Sequence, residues 1–169
     1  GGLAGCSAAI EAYNKGSKVF VLEKERDIGG NSAKASSGIN AAGTAVQKEK
    51  GVEDSVELFE EDTIKSGQGL ADEKLVKLLA EHSASAEEFL ESHGVHLDVL
   101  SQLGGHSAPR THRPPAPPKG GRPVNVGFAM MTALKNHINT LPKERMTVLK
   151  VAHVTQLIIE TVQEKKAVR

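Results

Sequence analysis

The chain has 169 residues, 38% of them hydrophobic, which is enough for about one domain with a core of its own. Its 21 basic and 21 acidic residues cancel, so no general field draws it to nucleic acid or an anionic membrane. With 3% aromatics and no Trp it also offers few platforms for stacked single strands. A single cysteine excludes an internal disulfide, the Cys and His residues form no zinc-ligand cluster, and no apolar run reaches the roughly 18 residues that span a bilayer.

Gly2 and Gly5 stand as the last two glycines of a G-x-G-x-x-G dinucleotide fingerprint, with Gly1 in the free position before them. The first glycine and the strand that should carry it are expected just ahead of residue 1, where there is no initiator methionine. A side-chain-free Gly2 lets main chain approach a diphosphate, and Gly5 is expected to let the following helix lie close to a sheet. That helix runs on through Ser7–Tyr13 towards a cap at Gly16, and its N-terminus points unpaired N–H groups at the anion. Cys6 lies on it and reads as a small buried packing residue. Lys18–Leu22 is a short apolar run, as for a parallel strand covered on both faces. Glu23 closes it, where a carboxylate can accept hydrogen bonds from the ribose hydroxyls of an adenosine. A Gly-capped helix in any α/β protein also fits Gly2 and Gly5. Strand, acid and spacing together favour nucleotide binding.

Gly29-Gly30-Asn31-Ser32 then offers a second set of backbone N–H groups and short polar side chains to a pyrophosphate. The small residues from Ala35 to Gly43 let the chain lie against a flat ring system. Val52, Val56, Phe59 and Thr63/Ile64 predict a one-faced helix over 53–66, ended by Gly67 and Gly69, with Glu57, Glu60, Glu61 and Asp62 on its solvated side. Asp72 is expected to cap a second helix with Leu75, Leu78 and Leu79 inward. Ser83 or Ser85 restarts it with Ala86, Phe89 and Leu90 inward, until Gly94. His82, His93 and His96 lack partners at ligand spacing.

From Leu103 to Pro123 the glycines and prolines predict no regular structure, and His106, Arg110, His112, Arg113, Lys119 and Arg122 make the stretch basic. Composition alone reads it as a semi-rigid linker. A cationic loop facing a dicarboxylate is the functional alternative, since an Arg fork pairs bidentately with carboxylates. Asn125 caps the next helix, with Val126, Met130, Ala133/Leu134, His137, Ile138 and Leu141 on one face, and Pro142 ends it. Thr147–Lys150 and Val154–Thr161 read as strands, the second with a hairpin partner expected beyond residue 169.

Gly2-Leu3-Ala4-Gly5, Leu22-Glu23-Lys24, Gly29-Gly30-Asn31-Ser32, Ser37-Gly38-Ile39-Asn40-Ala41-Ala42 and the loop from Gly104 to Arg113 resemble, in order, the FAD-binding domain of the fumarate reductase/succinate dehydrogenase flavoprotein family, particularly its soluble fumarate reductases. The resemblance implies an α/β, Rossmann-like FAD-binding domain of the glutathione-reductase type, incomplete, with its first strand missing. Residues 1–169 would be its N-terminal part, and the substrate-clamping domain is expected downstream. Gly2, Ala4 and Gly5 would face the diphosphate, Glu23 the adenosine ribose, and Gly30, Asn31 and Ser32 the middle of the cofactor, with Lys24 also among the cofactor-binding residues. Ser36, Ser37 and Gly38 would run along the isoalloxazine, with a main-chain group near Ala152 touching the adenine. Gly105, His106, Ser107 and Arg110 would lie beside the substrate. Asn31 stands where membrane-bound relatives carry the histidine that attaches flavin, so the FAD should be non-covalent.

The implied activity is hydride transfer from reduced FAD N5 to fumarate, giving succinate. The proton-donating arginine and the substrate clamp are expected beyond residue 169, so no residue here is assigned a catalytic role. The resemblance leaves the electron donor open and favours a cytoplasmic or mitochondrial location. Three other readings stay open. Aspartate oxidases, urocanate reductases and ketosteroid dehydrogenases share the cradle. A truncated chain could bind nucleotide without catalysis. An NAD-dependent dehydrogenase fits Gly2, Gly5 and Glu23 but leaves Gly29–Ser32 unexplained.

Overall fold

The computed structural model describes residues 1–119, 121, 124–162 and 165–168. In chain order the elements are α1 (Leu3–Asn14), β1 (Val19–Leu22), a 3-10 turn (Ser32–Lys34), β2 (Ile39–Asn40), α2 (Ala45–Glu49), α3 (Val56–Ser66), α4 (Glu73–Glu81), α5 (Ser83–Ser92), β3 (Val99–Ser101), β4 (Thr111–Arg113), α6 (Val126–Thr140), β5 (Met146–Leu149), β6 (Ile159–Val162) and β7 (Lys165–Val168). No described helix is long and apolar enough to cross a membrane.

β1 and β5 pair in parallel, Val19 opposite Met146 and Leu22 opposite Leu149, as the apolar run predicted. One side of this pair is covered by α1 and α6. Cys6, Ala9 and Ile10 meet Val21, Met131, Leu134, Ile138 and Met146 in the main core, and Cys6 is fully buried there. The expected second cover is absent among the described residues: Phe20 and Leu22 are 54% and 46% exposed. Gly5 is likewise not the close-packing point. A Cβ there would meet nothing within 4 Å, and contact falls on Cys6, Ala9 and Ile10, further round the helix. Gly16, at φ +93°, ends the helix as predicted.

β2, β4 and β3 form a second, antiparallel sheet with β4 in the middle. Thr111–Arg113 therefore departs from the irregular loop expected from Leu103 to Pro123. Between Pro109 and Pro114 stand four residues without Gly or Pro, and the last three of them are enough to bridge two neighbouring strands. Gly120, Arg122 and Pro123 of that stretch lie outside the described residues.

The helices begin where their caps predict, with one shift. α3 starts at Val56 rather than near Glu53, because the Ser55 hydroxyl accepts from Leu58 N–H at 3.1 Å. Asp72 caps α4 through Lys74 and Leu75, and Asn125 caps α6 through Gly127 and Phe128. In α4 the inward set is reversed. Val76 and Ala80 are buried, and Leu75, Leu78 and Leu79 are exposed, because the helix meets its neighbours through its small residues: Ala80 clusters with Phe59 and Ala42. In α5, Leu90 is buried as expected, but Glu87 is buried where Ala86 was expected, and Ala86 faces out. In α6 the predicted face holds: Val126, Met130, Leu134 and Ile138 are buried. The last predicted strand is confined to β6, and its hairpin partner is β7 within the chain, not beyond residue 169.

Candidate dinucleotide-binding site

The two glycine bends meet. Gly29 N–H donates to the Gly1 carbonyl at 2.7 Å, and Leu3 N–H, the first of α1, donates to the Ser32 hydroxyl at 3.1 Å. This contact leaves no room for side chains on the first bend. A Cβ on Gly1 would sit 2.3 Å from Glu23 Oε2, and one on Gly2 would sit 3.2 Å from Ser32 Oγ. Gly29 and Gly30 take φ +134° and +50°, which lets the second bend turn back on the first. Beyond the Ser32 hydroxyl on Leu3 N–H, α1 has no cap from Gly2 and no acidic residue in its first turn, and Ala4 and Gly5 are exposed. Its dipole end is thus open to an anion. These features fit a diphosphate.

The second bend is seated by an element the sequence did not flag. Gly127, at the start of α6, donates its N–H to the Ala35 carbonyl at 2.9 Å, and a Cβ there would lie 2.0 Å from the Ser32 carbonyl oxygen. Helix and 3-10 turn therefore touch through main chain. Glycine without a positive φ gives no turn signal to read.

Glu23 ends β1 and is buried. Glu25 N–H donates to its Oε1 at 2.8 Å. That bond holds its carboxyl below the usual range, so it is an ionised acceptor at neutral pH. Ala152 N–H donates to the Glu23 carbonyl at 2.8 Å, and Val151 N–H to the Glu25 carbonyl at 3.0 Å. The two residues assigned to the adenosine end are thereby side by side. Val151 holds φ +55°, strained for a β-branched residue, and is 73% exposed. Lys24 is exposed, its ammonium 4.0 Å from Glu25 Oε1.

Asn31, Ser36 and Ser37 are exposed, forming an open strip of short side chains that leads to Gly38. Gly38 is pressed against β4: a Cβ would meet Thr111 Cγ2 at 2.5 Å and the His112 carbonyl oxygen at 2.6 Å. Beside it opens a cavity of about 490 Å³ lined in part by Asn40, Phe59, Asp62, His106 and Arg110.

Arg110 is the largest wholly buried side chain among the described residues. Its guanidinium takes Asp54 bidentately, Nε to Oδ2 at 3.1 Å and Nη2 to Oδ1 at 2.9 Å, while Nη1 lies 2.9 Å from Asp62 Oδ2. Phe59 stacks under it, 4.8 Å from ring centre to guanidinium carbon. Asp62 also accepts both the N–H and the hydroxyl of Ser107 at 2.7 Å. Burial raises its pKa, yet Ser107 and Arg110 together hold the carboxyl below its usual range. Asp62 is thus not part of a solvated acidic face. It turns inward because two donors and a cation await it. Gly105, at φ +83°, makes the preceding turn.

His112 is fixed as a neutral ring. Nδ1–H donates to the Arg110 carbonyl at 2.9 Å, Nε2 accepts the Thr44 hydroxyl at 2.8 Å, and burial lowers its pKa. Asp54, Asp62, Thr44 and Asn40 escaped the sequence reading. An acid-rich helix before a basic loop was the available signal, but nothing in the spacing says which acids turn in.

A parallel β-pair, a glycine-opened helix start and a second glycine bend define a Rossmann-like dinucleotide-binding domain. All 169 residues match the family model described as FAD binding domain. The chain is 45% identical to fumarate reductase 1 of Saccharomyces cerevisiae over 152 residues, 89% of this chain and 31% of that protein. It is 39% identical to the fumarate reductase of Schizosaccharomyces pombe, over 98% of this chain and 32% of that one. It superimposes on a flavocytochrome c3 fumarate reductase in its open conformation with a TM-score of 0.84 at 36% identity, over 94% of this chain and 27% of that chain. The chain belongs to the FAD-binding domain family, and its cofactor is FAD. It spans about a third of the length of the curated relatives it matches.

Proposed function

We propose that the protein carrying this chain is a fumarate reductase that converts fumarate to succinate. The observation that supports this most directly is the cavity beside Gly38, where the strip assigned to the flavin ends and the His106–Arg110 loop brings N–H donors to its wall. The likeness to fumarate reductases over nine-tenths of the chain agrees with it. Bound FAD supplies the hydride, from its reduced N5, and a proton on the neighbouring carbon completes the product.

In this reading the chain's own residues bind and orient. Gly2, Ala4 and Gly5 present the open end of α1 to the diphosphate, joined by Gly30, Asn31 and Ser32 from the second bend. Ionised Glu23 accepts from the ribose hydroxyls, with Lys24 and the Ala152 main chain beside the adenosine. Ser36, Ser37 and Gly38 lie along the ring system, close enough for main chain to exclude water from one edge. Gly105, His106, Ser107 and Arg110 border the dicarboxylate. Asn31 offers no nucleophile to the flavin, so attachment is non-covalent. The clamp and proton donor belong to chain outside these residues, and the location is cytoplasmic or mitochondrial.

The test is to purify the FAD-loaded protein, precipitate it with acid and assay the native form with reduced viologen. Flavin released into the supernatant and succinate formed from fumarate are expected. Flavin retained in the pellet would refute non-covalent binding. Turnover of aspartate, urocanate or a ketosteroid with none of fumarate would move the protein to a sister activity.

A further inference from the structure

His106 has a tautomer that the surrounding bonds dictate. The Thr111 hydroxyl donates to Asn40 Oδ1 at 2.7 Å, which fixes the orientation of the Asn40 amide. Its Nδ2 therefore faces His106 Nε2, at 3.5 Å, and that nitrogen is the acceptor. The ring proton then resides on Nδ1. Burial, followed by the positive charge of Arg110, lowers the pKa of this histidine, and the carboxylates of Asp62 and Asp54 oppose that only in part, so the ring is neutral at pH 7. Nδ1 is buried and has no partner among the described residues. Arg110, which lines the same cavity, has its Nη1 2.9 Å from Asp62 Oδ2. One buried donor, His106 Nδ1, is thus left without an acceptor among the described residues at the cavity next to Gly38. Buried polar groups are nearly always satisfied, so the missing acceptor is ligand or water.

We propose that His106 contacts the substrate, donating from Nδ1 to a carboxylate oxygen held in the cavity beside Gly38, and that Arg110 is a positioning residue behind it. A carboxylate oxygen suits the place because the orphaned group is an N–H donor. Arg110 does not itself clamp the substrate: its fork is occupied by Asp54 and Asp62. It holds the loop through Asp62 and Ser107, and Gln102 Nε2 ties the other side by donating to the His106 carbonyl at 2.7 Å. This inference rests on the dicarboxylate reading above and names one of its contacts.

The experiment compares His106→Ala, His106→Asn and His106→Gln in the FAD-loaded holoenzyme. The readouts are succinate and malonate affinity from the flavin difference spectrum, KM and kcat for fumarate, and the imidazole ¹⁵N shifts of labelled histidine. Loss of one hydrogen bond to a charged group is expected to weaken binding by roughly 10- to 100-fold in the Ala variant. KM rises with it while kcat and flavin content hold. Asn, which keeps a donor near the Nδ1 position, recovers part of the affinity, and Gln does not. The ¹⁵N shifts of native His106 show a neutral Nδ1–H ring. Equal affinity in the native and Ala proteins, or a ring protonated on Nε2, overturns the proposal and leaves the fumarate reading intact. A native holoenzyme that binds neither dicarboxylate sinks both.

Discussion

A side chain on Gly127 would place its first carbon 2.0 Å from the carbonyl oxygen of Ser32, so the start of α6 and the second glycine bend are locked together by contact of bare main chain. Neither can move without the other. Gly127→Ala should therefore displace the 3-10 turn and with it Asn31 and Ser32. The expected result is a folded protein with a lower melting temperature that loses FAD on desalting. Normal flavin content after gel filtration would show that the turn yields without affecting the cradle.

The Arg110 cluster predicts an ordering of stabilities. Removing the cation leaves two shielded carboxylates, Asp54 and Asp62, without compensation, so Arg110→Leu should cost about 3–5 kcal/mol in urea unfolding. Asp54→Asn leaves Asp62 on the guanidinium and should cost less. If the two variants lose equal stability, the second carboxylate contributes nothing.

Glu87 predicts a pH slope. Burial first, then Glu91 and Glu88, raise its pKa from 4.5 to about 7, and its Oε1 has no hydrogen-bond partner among the described residues. The folded state holds this proton more tightly than the unfolded one. Its contribution is fully present below pH 4.5 and is lost as pH rises to 7. The span corresponds to an upper figure of roughly 3 kcal/mol. Glu87→Gln should flatten the slope between pH 5 and 8 and be the more stable protein at pH 8. A native protein whose unfolding midpoint rises steadily over that range, with the Gln variant parallel to it, would contradict this.

Val151 predicts a gain. Its left-handed φ of +55° costs on the order of 1–2 kcal/mol, and its exposed side chain contributes little packing. Val151→Gly removes that strain at an entropic cost of about 0.5–1 kcal/mol. The net expectation is a melting point raised by a degree or more. A fall would mean that the β-branched residue is needed to aim Ala152 N–H at Glu23.

The sequence made the cradle legible because its signals are local. Gly29 and Gly30 turn through their own φ, and Glu23 and the caps Asp72 and Asn125 bond within three residues of themselves. What failed depends on distant partners. Leucines at 75, 78 and 79 form a proper helical stripe, but which stripe faces inward is decided by Phe59 and Ala42 on other elements. Asp62 looks like its neighbours Glu60 and Glu61 until Ser107 and Arg110 arrive from 45 residues away or more. The strand at Thr111–Arg113 was obscured by prolines on both sides of it. Gly127, whose φ is unremarkable, carries a contact that only three dimensions reveal.

The parallel pairing of Val19 with Met146 has a consequence during synthesis. At about 5–20 residues per second, the ribosome delivers Met146 on the order of ten seconds after Val19. Through that interval the nascent Val19–Leu22 segment has neither its neighbour nor its covering helix α6, while Phe20 and Leu22 remain sticky. Translation speed and chaperone supply, more than the strength of the finished core, should then govern how much of this polypeptide escapes aggregation.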